Sequence, residues 1–232
     1  MRVARAPNVL LVYPRFAAAT FWNFAATCEL MGARYPSAPL GLITLAALLP
    51  RTWNMRLIDR NAEELTDADL AWADIVMTGG MLAQHNDLLE VIRIAQAHGR
   101  PIAVGGPGPT SVPDAYRHAD FLVLGEAEGI IDTFVAAWEQ GASQGVFEAE
   151  KFQADVTKSP IPRFDLLNFD YYLHVGVQFS DTKSNKTGNA SAHVISTTCR
   201  YRSSTPSRRA AVSTSATCAA SAARKRSSRS KA

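Results

Sequence analysis

The chain has 232 residues, enough for one ordinary domain and an appendage, and its formal charge of +3 describes neither part. Residues 1–180 hold 13 Lys and Arg against 20 Asp and Glu, whereas residues 181–232 hold 11 against the single Asp181. The longest apolar stretch, "PLGLITLAALLP", falls far short of the roughly 20 residues that cross a bilayer. Cys28, Cys199 and Cys218 form an odd, widely spaced set with no charged-then-apolar leader, which argues against a secreted disulfide framework and fits a reducing cytoplasm.

In chain order, "NVLLVYP" opens the pattern as a strand, followed by a helix over Leu40–Leu49 that starts behind Pro39. "NMRLID" and "DIVMTGG" read as the next two strands, and Asn86–His98 as a helix closed by Gly99. "PIAVGG" and "FLVLGEAE" complete five strands, with a last helix over Ile130–Gln140 that ends at Gly141. The apolar runs are mostly continuous, as in strands buried on both faces. Strands alternating with helices predict a doubly wound α/β domain over residues 1–141, with a five-stranded parallel, flavodoxin-like sheet of order 2-1-3-4-5. After Gly141 the rhythm stops. Residues 142–180 read as a linker held extended by Pro160 and Pro162, then Val175–Phe179 as the opening strand of a second domain. Residues 181–232, rich in Ser, Thr, Ala and Arg with one aromatic residue, Tyr201, predict a disordered tail.

In such sheets ligands sit beyond the carboxyl ends of the strands. No G-x-x-x-x-G-K-[ST] phosphate loop occurs there, and "GGPGPTSVP" breaks a dinucleotide fingerprint with Pro107 and Pro109, which are expected to obstruct a helix. "YPRF" after the first strand offers neither clustered carboxylates nor a phosphate cradle. Glycines gather instead: Gly79, Gly80, Gly105, Gly106, Gly108 and Gly125. Any one of them serves a tight turn equally well, but their clustering suits a wide, flat ligand pressed on the strand ends. The candidate cofactor-binding residues are Tyr13, Pro14, Leu40, Gly41, Asp59, Asn61, Thr78, Gly79, Gly80, Gly105, Gly106, Pro107, Thr110, Gly125 and Glu126.

The succession "YPSAPLGLITLAALLP", "RLIDRN", "GGPGPTSVPDAYRHADFLVLGEAE" and "TKSPIPRFDLL" resembles the N-terminal part of the cobalamin-dependent radical S-adenosylmethionine enzymes. "FWNFAATCELMGARYPSAPLGLIT" is similar to the subgroup that contains hopanoid C-2 methylases. The resemblance runs from about Asn8 to Ser180. It implies a first domain holding cobalamin over the sheet ends. A following domain would bind a four-iron, four-sulfur cluster and S-adenosylmethionine, with the cofactors carrying the difficult chemistry.

The chain departs from this pattern twice. Many cobalamin modules present an axial histidine in Asp-x-His-x-x-Gly, but here Asp59-Arg60-Asn61 has none; His85 is the nearest alternative and is expected exposed at a helix start. Members of the family continue past "VGVQFS" with a Cys-x-x-x-Cys-x-x-Cys loop, where three thiolates hold a cluster; this chain continues with "DTKSNKTGNAS". Cluster and S-adenosylmethionine are thus expected for the family and not for these residues. The tail reads as out-of-frame or otherwise foreign sequence joined to a genuine domain. Its basic runs lack any base-reading motif, so no specific nucleic acid is expected as partner. Glu126 and Glu128 read as favouring the next helix's N-terminus rather than as a catalytic pair, and Phe21, Trp22 and Phe24 read as corrin cover, as a face toward the radical domain, or equally as ordinary core. The two functions that stand are a cobalamin-binding domain of a methylase-type enzyme, partnered by a radical domain elsewhere, and a non-catalytic interaction module that has lost its ligand.

Overall fold

The computed structural model describes residues 5–18, 20, 23–150 and 153–173. The expected strand at Val175–Phe179, the tail from Asp181, and the aromatic residues Phe21 and Trp22 lie outside the described residues. Six strands form one parallel sheet: β1 (Asn8–Tyr13), β2 (Asn54–Asp59), β3 (Ile75–Gly79), β4 (Ile102–Gly105), β5 (Phe121–Leu124) and β6 (Gly145–Glu148), in the order β2-β1-β3-β4-β5-β6. The switch in strand order falls between β1 and β3, as the flavodoxin-like reading requires.

Helices cover both faces: α1 (Ala25–Met31), α2 (Leu40–Leu48), α3 (Asp67–Trp72), α4 (His85–Ala97), α5 (Pro107–Ser111) and α6 (Ile131–Glu139). Successive strand residues point to opposite faces, so β1 serves two cores at once. Val9 and Leu11 pack with Leu42 and Ala46 of α2 and Phe134 of α6, while Leu10 and Val12 pack with Leu70 of α3 and Leu88, Val91 and Ile92 of α4. β1 is covered on both faces, which is why it reads as an unbroken apolar run.

Two expectations need correction. The sheet has six strands and not five, because β6 lies at the edge with alternating burial and Val146 is 67% exposed. "GVFE" therefore lacks the continuous apolar run that marks the buried strands. Likewise, the prolines of "GGPGPTSVP" open helix α5 where they were expected to prevent one. Pro107 and Pro109 occupy its first turn, where backbone N–H groups have no intrahelical partner, so their missing N–H costs nothing.

Beyond β6, residues 153–173 return across the body. The Arg163 N–H donates to the Ile43 carbonyl at 2.9 Å, and Leu166 packs against the α2–α6 core. At the far end the Tyr171 carbonyl accepts from the Arg34 and Tyr35 N–H groups, and the Leu173 N–H donates to the Tyr35 carbonyl. Tyr172 is thereby inserted, buried, between Tyr35 and the end of β2.

Candidate functional site

The strands end together, and the segments that follow them part to leave an opening. Tyr13 of β1, Thr78, Gly79 and Gly80 at the end of β3, Gly105, Gly106 and Pro107 at the end of β4, and Gly125 after β5 all line one cavity of about 510 Å3, joined by Leu40 and Gly41 from α2. That volume is ordinary for a small-molecule site, about 300–1,000 Å3. Its rim is glycine because the strand ends crowd together. A Cβ on Gly79 would stand 2.7 Å from the Gly105 carbonyl oxygen, and one on Gly105 would stand 2.8 Å from that of Val123. The stair of close contacts across β3, β4 and β5 leaves a shelf without side chains.

From that shelf the cavity runs inward between the sheet and helices α2 and α6, where Leu45, Leu48, Met77, Ala103, Ile131 and Phe134 make an apolar slot. These residues escaped the sequence reading. Their spacing is that of core packing, and nothing in it distinguishes a wall of a cavity from a filled interior.

Five expected site residues do not line the cavity. The Pro14 carbonyl accepts from Gln84 Nε2 at 2.6 Å and from Asn61 Nδ2 at 3.1 Å, and Asn61 Oδ1 accepts the Phe16 N–H at 2.9 Å. Asn61 thus fastens the loop after β1 to the loop after β2. Thr110 Oγ1 accepts the Gly125 N–H at 2.9 Å and holds the turn after β5, where Gly125 takes φ +86°. Glu126 is exposed, whereas Glu128, two residues on, lines the cavity and accepts a hydrogen bond from the Ser159 hydroxyl. Trp22 and Phe21 lie outside the described residues, and Phe24 is 52% exposed.

Asp59, the fifth, is 1% exposed and faces no cation within hydrogen-bonding distance among the described residues. Its carboxylate accepts from the Asn61 N–H and Nδ2 and from the Tyr172 hydroxyl. Burial pushes its carboxyl above the usual range, outweighing the hydrogen bonds that favour the charged form. The Tyr13 phenol is pushed up to about 12 by burial and then by the Asp59 charge, so it stays a neutral donor at the cavity wall. Because folded Asp59 holds its proton more tightly than the unfolded chain does, its contribution to stability is fully present below about pH 4 and is lost as pH rises through the raised value. Asp59→Asn removes that loss. The unfolding midpoint of D59N relative to the parent, followed by calorimetry from about pH 4 to about pH 8, is expected to shift in favour of the variant as pH rises; a pH-independent difference would contradict this.

Next to it, Arg60 and Asp87 form a two-point ion pair at 2.9 and 3.0 Å, their side chains 8% and 17% exposed, and Asp87 Oδ2 also accepts the Arg15 N–H at 2.7 Å. The pair ties the loops after β1 and β2 to the start of α4.

Residues 32–135 match the family model described as the B12 binding domain. The matched span holds the glycine shelf and the slot. This span is similar to the B12 binding domain. The chain is 46% identical over 175 residues to an uncharacterized methyltransferase of Synechocystis and 34% identical over 180 residues to the hopanoid C-2 methylase of Rhodopseudomonas palustris. Each alignment covers 75% of this chain, and 32% and 33% of those relatives respectively. The bacteriochlorophyllide d C-12(1)-methyltransferase of Chlorobaculum tepidum is 23% identical over 125 residues, 53% of this chain and 27% of that protein. The chain thus spans about a third of the length of these curated relatives.

The matched span also holds three described histidines, His85, His98 and His118. His85 was expected exposed, but it is half-buried with its Nδ1 2.7 Å from the Tyr116 hydroxyl. His98 lies beside Asp67, and His118 is exposed. None of these three is among the residues that line the cavity.

Proposed function

We propose that this chain holds cobalamin at the carboxyl edge of its sheet, as the cofactor module of a methylase of the radical S-adenosylmethionine type. A single observation carries the reading: a shelf of glycines opens directly into an apolar slot, inside the segment that matches the B12-binding domain. Cobalamin is a broad macrocycle with a nucleotide arm that ends in a flat aromatic base. Its two parts match the two parts of the site. The shelf offers backbone with no side chain to obstruct the macrocycle, and the slot has the apolar walls and the size that suit the base. When bound, the cofactor supplies group-transfer chemistry at its cobalt.

The protein's own contribution is placement and the exclusion of water. Leu45, Leu48 and Phe134 desolvate the inner end, Asn61 and Gln84 fix the loop that follows Tyr13, and Thr110 fixes the turn at Gly125. The loop after β2 reads Asp59-Arg60-Asn61 and contains no histidine, so it would offer the cobalt no imidazole.

Cys28, Cys199 and Cys218 are the chain's cysteines, and their spacing is not Cys-x-x-x-Cys-x-x-Cys. The cluster and S-adenosylmethionine of this reaction type are therefore assigned to polypeptide other than these residues, and this chain alone is expected to carry out no radical chemistry. The test is direct. The purified chain, mixed with excess hydroxocobalamin and passed through gel filtration, is expected to emerge coloured with the corrin spectrum and, after iron and sulfide reconstitution, without iron. Colourless protein, or protein with a bound iron centre, would overturn the reading.

A further inference from the structure

The cavity wall carries five polar side chains: Tyr13, Thr44, Thr78, Gln84 and Glu128. Three are committed within the fold. The Thr44 hydroxyl donates to the Leu40 carbonyl and that of Thr78 to the Val12 carbonyl, both at 2.8 Å. Gln84 donates to the Pro14 carbonyl and accepts the Met81 N–H. Tyr13 is held neutral. Glu128 is therefore the one charged group among the described residues that line the cavity.

Its position is fixed from two sides. It belongs to the turn Ala127–Gly129 between β5 and α6, and Ser159 donates to its Oε1 from the returning segment. That segment is itself held on α2 by the Arg163 N–H bond to Ile43. A carboxylate only accepts, and its two oxygens offer about four lone-pair sites, of which Ser159 uses one. It attracts hydroxyl and amide N–H groups and repels phosphate.

Resting on the cobalamin reading above, we propose that Glu128 is a specificity-determining residue that accepts a hydrogen bond from the ribose hydroxyl of the ligand's nucleotide arm and turns its phosphodiester toward the open rim. The arm is the part concerned because it is the part that enters the slot, and its sugar is the neutral donor between the base and the anionic linkage. Ser159 is the positioning residue that keeps the carboxylate in place. This gives work to two residues, one in "LGEAEG" and one in "TKSPIPRF", that shelf and slot alone leave unused.

The full 232-residue chain, titrated with hydroxocobalamin and with dicyanocobinamide, which has the macrocycle but no nucleotide, tests this by visible absorbance. Loss of a hydrogen bond to a charged group predicts that Glu128→Ala binds hydroxocobalamin about tenfold more weakly, with its affinity for cobinamide unchanged. Glu128→Gln keeps an acceptor oxygen and is expected within about threefold of the parent. Ser159→Ala is expected to show a smaller loss, again for hydroxocobalamin alone. Parental affinity in E128A, or equal losses for both ligands in E128A and S159A, overturns the inference. If E128A does not fold, as judged by circular dichroism, S159A decides by the same differential. Failure of the parent to take up hydroxocobalamin strikes the underlying reading instead, and is seen before any variant is made.

Discussion

Gly105→Val is expected to abolish retention of hydroxocobalamin and to lower the thermal midpoint by roughly 5–10 °C. The missing Cβ of Gly105 points at the Val123 carbonyl oxygen, 2.8 Å away, with the Val123 Cβ at 3.7 Å. The obstructing atom is backbone in a paired strand, so it cannot rotate aside as a side chain would. Relief comes only by parting β4 from β5, which breaks the Gly105–Val123 register and tilts the shelf. Overpacking of this kind costs about 1–3 kcal/mol, and each kcal/mol moves the midpoint of a chain this size by about 2–4 °C. Gly41→Ala provides the contrast. Gly41 lies in α2 with nothing within 4 Å of an added Cβ, so alanine there is expected to raise stability slightly through helix propensity, by about 0.5–1 kcal/mol. Calorimetry on both variants, with gel filtration of G105V in cobalamin, checks the pair; an unshifted midpoint with retained colour in G105V would falsify the account of the shelf.

The second large effect concerns Asp87. Asp87→Ala leaves the Arg60 guanidinium, 8% exposed, without its counter-charge and frees the Arg15 N–H, and is expected to cost about 3–5 kcal/mol, or a midpoint lower by about 10 °C or more. The asymmetry is the informative part. Removing both charges with apolar replacements, Arg60→Met together with Asp87→Leu, leaves no stranded ion and is expected to recover most of the loss. Urea unfolding of the single and double variants supplies the cycle. If the double variant is as unstable as D87A, the loss belongs to packing or to the Arg15 contact and not to the buried charge. Because the pair anchors the loops after β1 and β2, D87A is also expected to weaken hydroxocobalamin binding more than its loss of global stability alone explains.

The sheet was readable from residues such as Val9–Val12, whose unbroken apolar run reflects two covered faces. The strand at Gly145–Glu148 was not, since an edge strand with one covered side and four residues has too short a pattern to separate from a turn. The helix at Pro107 was hidden by prolines whose usual effect is reversed in the first turn of a helix. Of the residues expected at a site, Tyr13, Thr78, Gly79, Gly80, Gly105, Gly106 and Gly125 line the cavity because the strand ends converge there, and Leu40 and Gly41 line it from the start of α2. Asp59, Asn61 and Thr110 occupy the same loops but are used one layer away, holding other parts of the chain, and no local pattern separates a residue that touches a ligand from one that fastens its neighbour.

Local order of residues was sufficient to determine the strand–helix alternation, the strand-end edge at which the cavity opens, and the absence of the three-cysteine spacing, because each depends on periodicity or on residues adjacent in the chain. The slot between α2 and α6, the carboxylate of Glu128 at its wall and the clasp of Tyr172 on Asp59 were decided only in three dimensions. Each joins residues separated by tens of positions, from Glu128 to Ser159 and from Asp59 to Tyr172, and such pairings arise from packing, which a one-dimensional pattern does not record.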